Sequence, residues 1–146
     1  FGHSPATLEA YLGFSSTLST GALSAKTREQ IALAVAETNA CDYCLAAHSL
    51  IGQGAGLTPE AILAARRVTA TDPKSDALLK FAAAVVETRG LVSDDAIATV
   101  RTAGASDAEI IETVAHVALN ILTNYTNHVA RTVVDFPKAA ALPVAV

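Results

Sequence analysis

The chain contains no methionine and no tryptophan, and only 5% of its residues are aromatic. Its core must therefore be closed by small and branched aliphatic side chains. Basic residues are in the minority, 10 Lys and Arg against 14 Asp and Glu, for a net charge of -4. That balance argues against nucleic acid or an anionic membrane surface as a partner. No apolar run approaches the roughly 20 residues of a membrane span. With no methionine present, the translational start is expected upstream of Phe1, which leaves room for a short targeting segment. Nothing in the chain resembles a secretory signal, and a cytoplasmic setting is expected. Cysteine is scarce too: Cys41 and Cys44 are the only two in 146 residues. A chain this long buries enough core not to need a disulfide scaffold, so the pair is read as chemical rather than structural.

What is abundant is apolar and small: 51% of the residues are hydrophobic, many of them alanine. Small side chains let helices approach closely, which favours tight helix packing and extensive subunit contacts. Helix signals recur along the chain, and no strand pattern interrupts them. Ser4-Pro5 opens a first helix through Phe14, and Ser24 caps a second to about Asn39. A third runs from about Cys41 to Gln53. Thr58-Pro59 and Asp72-Pro73 each place proline at the first helical position, opening helices to Arg67 and Gly90. Ser93 opens another to Gly104. Ser106 with Glu109 forms a capping box for a long last helix reaching about Asp135, with Pro137 as its stop. The tail from Lys138 is expected to be irregular. The whole, residues 1–146, reads as one all-α domain, a helical bundle of six or seven helices.

The stretch AETNACDYCLAAH carries the chemistry. Cys41 and Cys44 fall at the start of the third helix, where free backbone N–H groups favour an anion by about 0.3–1 kcal/mol. A thiolate is such an anion. His48 lies one turn after Cys44 on the same face and can accept its proton. Glu29 ends an apolar stripe on the second helix (Ala32, Leu33, Ala36). Counted from a turn near Ala40, Glu29 and His48 are offset by only about 4–5 Å along antiparallel helices. A carboxylate there can orient the imidazole. The same four residues also make a conceivable tetrahedral zinc set. The plainest alternative is two buried small residues beside a satisfied histidine.

The pattern Glu29-x11-Cys41-x-x-Cys44-x3-His48, with its flanks LSAKTREQIALAVAETNACDYCLAAH, resembles the alkylhydroperoxidase D-like branch of the carboxymuconolactone decarboxylase-like superfamily. The later ALNILTNYTNHVARTVVDFP is similar to the last helix of that branch's peroxidase-related members. The likeness spans most of residues 20–137. It implies an all-helical subunit, assembly as a trimer or hexamer, and an antioxidant, thiol-dependent reduction of hydroperoxides. No metal or organic cofactor is implied, and an external dithiol is the reductant. Glu29, Cys41, Cys44 and His48 become the proton relay and redox pair. The chain departs from the pattern at Tyr43, where well-studied members carry a second histidine. A phenol, with a pKa of about 10, donates a hydrogen bond but carries protons poorly at neutral pH. Two other classes stay open: a redox-sensing or binding module without turnover, and a decarboxylase-type enzyme acting on a small lactone.

The last helix adds a polar seam, Asn120, Asn124, Asn127, His128 and Arg131, at spacings of three and four. It reads as a pocket or interface seam, or as a solvated face. Val114, Val117, Ile121 and Val129 beside it read as core. His116 reads as a satisfied core histidine or, with Tyr43, Asn124 and His128, as a pocket or relay residue. Arg66 and Arg67 read as a solvated helix end.

Overall fold

The structure, a computed structural model, describes residues 1–142. Among these are seven α-helices and no strand: α1 (Pro5–Leu18), α2 (Ala25–Thr38), α3 (Asp42–Gly54), α4 (Pro59–Arg66), α5 (Pro73–Thr88), α6 (Asp94–Thr102) and α7 (Asp107–Ala130). Each expected cap is in place. Ser4, Ser24, Thr58, Asp72, Ser93 and Ser106 each accept a backbone N–H of the first turn, and Ser106 with Glu109 completes the capping box. None of the helices is long and apolar enough to cross a membrane.

Two ends differ from the sequence expectation by more than two residues. α1 continues past Phe14 to Leu18. Ser16 and Thr17, within this extension, are exposed, where low helix propensity costs at most about 0.7 kcal/mol per residue. α7 stops at Ala130, five residues short of Asp135, because Arg131 turns left-handed at φ 51°. The amide of Thr132 donates to the carbonyl of Asn127 at 3.1 Å, closing the end. The β-branched run Thr132-Val133-Val134 is poorly suited to extend it. Beyond, residues 132–142 have no regular structure; this was expected only from Lys138. Positions 143–146 lie outside the described residues.

α2 is the central strut, packed against α3, α4, α5 and α7. Every residue from Gln30 to Ala36 is buried. One side, with Ile31 and Val35, meets Leu78, Phe81, Val100 and Val117 from α5, α6 and α7. Another, with Leu33, meets Leu57, Ile62 and Leu79 near α4 and α5. The end of α2, at Ala36, closes on Cys41, Cys44 and Leu45. A helix buried on so many faces tolerates mostly apolar side chains, which makes the charged Glu29 at its start conspicuous.

The expected core stripe of α7 is only partly core. Val117 is buried and Ile121 packs against the core, but Val114 and Val129 are exposed, Val129 at 87%. The first half of the seam faces inward instead, with Asn120 and Asn124 buried, while His128 and Arg131 at its far end are exposed. Arg66 likewise departs from the solvated end expected of it. It is buried, and its Nε donates to Glu37 Oε2 at 2.7 Å. Arg67 is exposed, as expected.

Candidate active site

The turn joining α2 to α3 sets the site. Ala40 adopts a left-handed conformation, φ 52°. The amide of Cys41 donates back to the carbonyl of Ala36 at 2.9 Å, so the chain reverses within three residues. An alanine accepts this conformation at a cost of about 1–2 kcal/mol. The reversal lays the start of α3 against the end of α2.

Both cysteines were expected inside the first turn of α3. Cys41 is instead the N-cap, its Sγ accepting the backbone N–H of Cys44 at 3.3 Å. Cys44 is the third residue of the helix. The two are joined as a disulfide, with Cα atoms 5.3 Å apart, well inside the range such a bond requires. Both are buried.

One turn along α3, His48 Nδ1 lies 2.8 Å from Glu29 Oε2. Both side chains are partly exposed, 23% and 18%. The contact is direct despite the axial offset. An ionised carboxylate only accepts hydrogen bonds, so Nδ1 carries a proton and, in the neutral imidazole, Nε2 holds the lone pair. The conceivable zinc set is not assembled: the sulfurs bond to each other and Glu29 bonds to His48. Among the described residues no group of three or more His, Cys, Asp and Glu side chains could hold a metal ion.

α7 completes the site from the other side. Asn127 Nδ2 donates to Cys44 Sγ at 3.4 Å. Asn124 Oδ1 accepts from Asn39 Nδ2 at 3.0 Å, tying α7 to the reversing turn. Neither Asn39 nor Asn127 was expected to make these contacts. The signal was the three-and-four spacing of the seam, which marks one helix face but not the face it meets.

One cavity borders the cysteine pair at Cys41, and a second borders Glu29 and His48. The first, of about 280 Å³, is bordered by Cys41, Tyr43, Asn127, His128 and Arg131. Tyr43 packs edge-on against Phe136, ring centroids 5.4 Å apart. Burial first, and then the carboxylate of Asp135, raise its phenol above the usual pKa of 10.0. It therefore stays protonated at neutral pH. The second cavity, of about 200 Å³, is bordered by Tyr11, Arg28, Glu29, His48, His116 and Asn120. His116 is buried but not satisfied, since its Nε2 has no hydrogen-bond partner. Burial and then the nearby Arg28 lower its pKa, against the opposing pull of Glu112 and Glu29. The structure thus brings Glu29, Cys41, Cys44 and His48 into one region, with Tyr43 and His128 around one cavity and His116 in the other. Asn124 stands behind the turn.

The sequence model of the carboxymuconolactone decarboxylase family matches residues 5–88, more than half of the chain. The chain belongs to that family, and to its AhpD-like branch. Solved structures agree on the fold. The alkylhydroperoxidase AhpD core of an uncharacterised peroxidase-related protein from Ralstonia eutropha JMP134 superposes with a TM-score of 0.80 at 25% identity, covering 87% of this chain and 70% of that one. ATU0492 from Agrobacterium tumefaciens, a protein of unknown function regarded as an AhpD of antioxidant defence, superposes with a TM-score of 0.79 at 22% identity, over 90% and 92% of the two chains. A cysteine-to-alanine variant of the debrominase Bmp8, bound to 2,3,4-tribromopyrrole, superposes with a TM-score of 0.81 at 18% identity, over 92% and 73%. No curated protein matches the chain.

Proposed function

We propose that this protein is a thiol-dependent peroxidase that reduces hydroperoxides through Cys41 and Cys44. The observation that carries the reading is a cysteine pair in disulfide contact at a helix start, one turn from a histidine held by Glu29. His48 takes the proton of Cys44 through Nε2. The Cys44 thiolate attacks the terminal peroxide oxygen; the O–O bond breaks, and the departing alkoxide takes the proton back from His48. Cys44 is left as a sulfenic acid. Cys41 attacks that sulfur, the S–S bond forms, and water leaves. An external dithiol then reduces the disulfide and is itself oxidised. Asn127 supports negative charge on Cys44, and charge-assisted hydrogen bonds of this kind are among the stronger ones. No resident metal or organic cofactor takes part in this cycle. The subunit works as a homo-oligomer, a trimer or hexamer, in a reducing cytoplasm.

The test is mass spectrometry of the reduced protein before and after mild peroxide, coupled to turnover with a dithiol. The expected product is one Cys41–Cys44 disulfide, two hydrogens lighter, with peroxide consumed in proportion to dithiol. Disulfide formation without turnover would favour a redox sensor. Turnover of a lactone by a variant lacking both cysteines would favour the decarboxylase chemistry.

A further inference from the structure

Reducing the disulfide requires a thiolate to approach one sulfur along the S–S axis. Cys41 is 1% exposed and Cys44 3%. Part of that cover comes from outside the helical bundle. Ala139 packs against the cluster of Ala36, Cys41, Cys44 and Leu45, and Phe136 leans edge-on against Tyr43. Both belong to the irregular segment after α7.

Arg66 latches that segment. Its Nε is held by Glu37, and its Nη1 donates to the carbonyl of Ala140 at 2.6 Å. A guanidinium buried on α4 needs such acceptors, because unpaired charge in the interior is costly. The fit around the latch is loose. Cavities of about 520 Å³ and 310 Å³ lie beside the segment, and Arg66, Lys138, Ala139 and Ala140 border both. The groove made by α2, α3 and α4 is therefore crossed by the segment rather than filled. Few contacts and much adjacent space describe an element that opens at small cost.

We infer that residues 134–142 are a strap that gates the redox pair, latched by Arg66 over the disulfide and displaced when a dithiol reductant attacks. The inference rests on Cys41 and Cys44 being the redox pair. With the strap open, the reductant's thiolate attacks Cys41 Sγ. The S–S bond breaks and its electron pair goes to Cys44. The reductant's second thiolate then attacks the mixed disulfide and releases Cys41, leaving the reductant as a disulfide.

The test measures how fast dithiothreitol reduces the disulfide in the full-length chain. Ala139→Glu sets a carboxylate against the apolar cluster, and Phe136→Ala removes the contact with Tyr43. Both changes lie beyond α7, outside the seven helices. Each is expected to speed reduction, Ala139→Glu by about tenfold, the gain from making strap opening easier by one decade of population. Urea midpoints of the oxidised forms should stay at the wild-type value, which separates strap opening from global unfolding. Arg66→Gln, if it folds, should act in the same direction. Reduction of both tail variants at the wild-type rate would overturn the gate. The assay reads access to sulfur alone, so a protein that turned over no peroxide would defeat the peroxidase reading and leave the strap standing.

Discussion

His48 Nδ1 and Glu29 Oε2 meet at 2.8 Å, across nineteen positions of chain. This bond fixes which imidazole nitrogen faces away from α2, and therefore which one is free to accept a proton.

The first prediction follows from that tautomer. His48→Ala should slow oxidation of Cys44 by about 10²–10⁴-fold, the usual worth of general base catalysis. Glu29→Gln keeps a hydrogen-bond acceptor but loses the charge that stabilises the imidazolium, so it should slow oxidation less. Stopped-flow rates of thiol loss under peroxide check both. Equal losses from the two substitutions would mean that Glu29 does more than orient the ring.

A second prediction concerns pH. Burial and Arg28 hold the pKa of His116 below 6.5 in the folded chain, while unfolding restores the ordinary value. The unfolded state thus binds a proton that the native state resists. The stability this group contributes is complete above about pH 6.5 and declines as pH falls through and below it. Asp76 and Glu109 act in a separate, more acidic window. Lys80 and Lys74 respectively lower their pKa values from 3.8 and 4.5. Their stabilisation is present above those values and is lost as pH falls toward the depressed ones. Urea midpoints at about pH 7.5 and about pH 5.5 should therefore differ in the wild type and differ less in His116→Gln. Glu112 and Glu29 face the same histidine and temper the effect without reversing its sign.

The helices were legible in the sequence because their starts are written in single residues: Ser4, Ser24, Thr58, Asp72, Ser93 and Ser106 act locally, through a bond spanning three positions. The pairing of Glu29 with His48 was legible for a similar reason, since the two lie on helices joined by one short turn. Arg66 and Asn127 were not. Both act on groups far off in the chain, a tail carbonyl and a sulfur, and no local spacing records which face meets which. Ala40 was hidden differently, because a left-handed turn is usually signalled by glycine and here an alanine carries it.

A third prediction comes from the outer face of α7. Ile111, Val114, Ala118, Leu122, Tyr125 and Val129 follow each other at intervals of three and four, and all are exposed. A continuous exposed apolar stripe of this kind is the feature expected of a contact surface. Sedimentation should give the wild type a mass that is a multiple of three subunits. Leu122→Glu, which sets a charge in the middle of the stripe, should dissociate it without loss of helix content. A wild-type chain that sediments as a stable monomer would contradict this.

The last prediction assigns the two sulfurs. Cys41, at the N-cap, accepts the amide of Cys44, an environment that favours a thiolate and in other helical pairs makes the first cysteine the nucleophile. Cys44 has two advantages that Cys41 lacks. His48 follows it by one turn and can take its proton, and Asn127 donates to its sulfur at 3.4 Å. Tyr43, with its raised pKa, cannot serve Cys41 as a base. Cys44 should therefore react first with peroxide, and Cys41, bordering the cavity beside His128 and Arg131, should resolve it and later receive the reductant. Cys41→Ser should leave a Cys44 sulfenic acid that a dimedone probe traps. Cys44→Ser should be inert to peroxide at neutral pH. Asn127→Leu should slow Cys44 oxidation by about tenfold or more, since a hydrogen bond to a charged group contributes about 1.5–3 kcal/mol. If Cys44→Ser still forms a sulfenic acid on Cys41 as fast as the wild type reacts, the N-cap outweighs the histidine and the two roles are reversed.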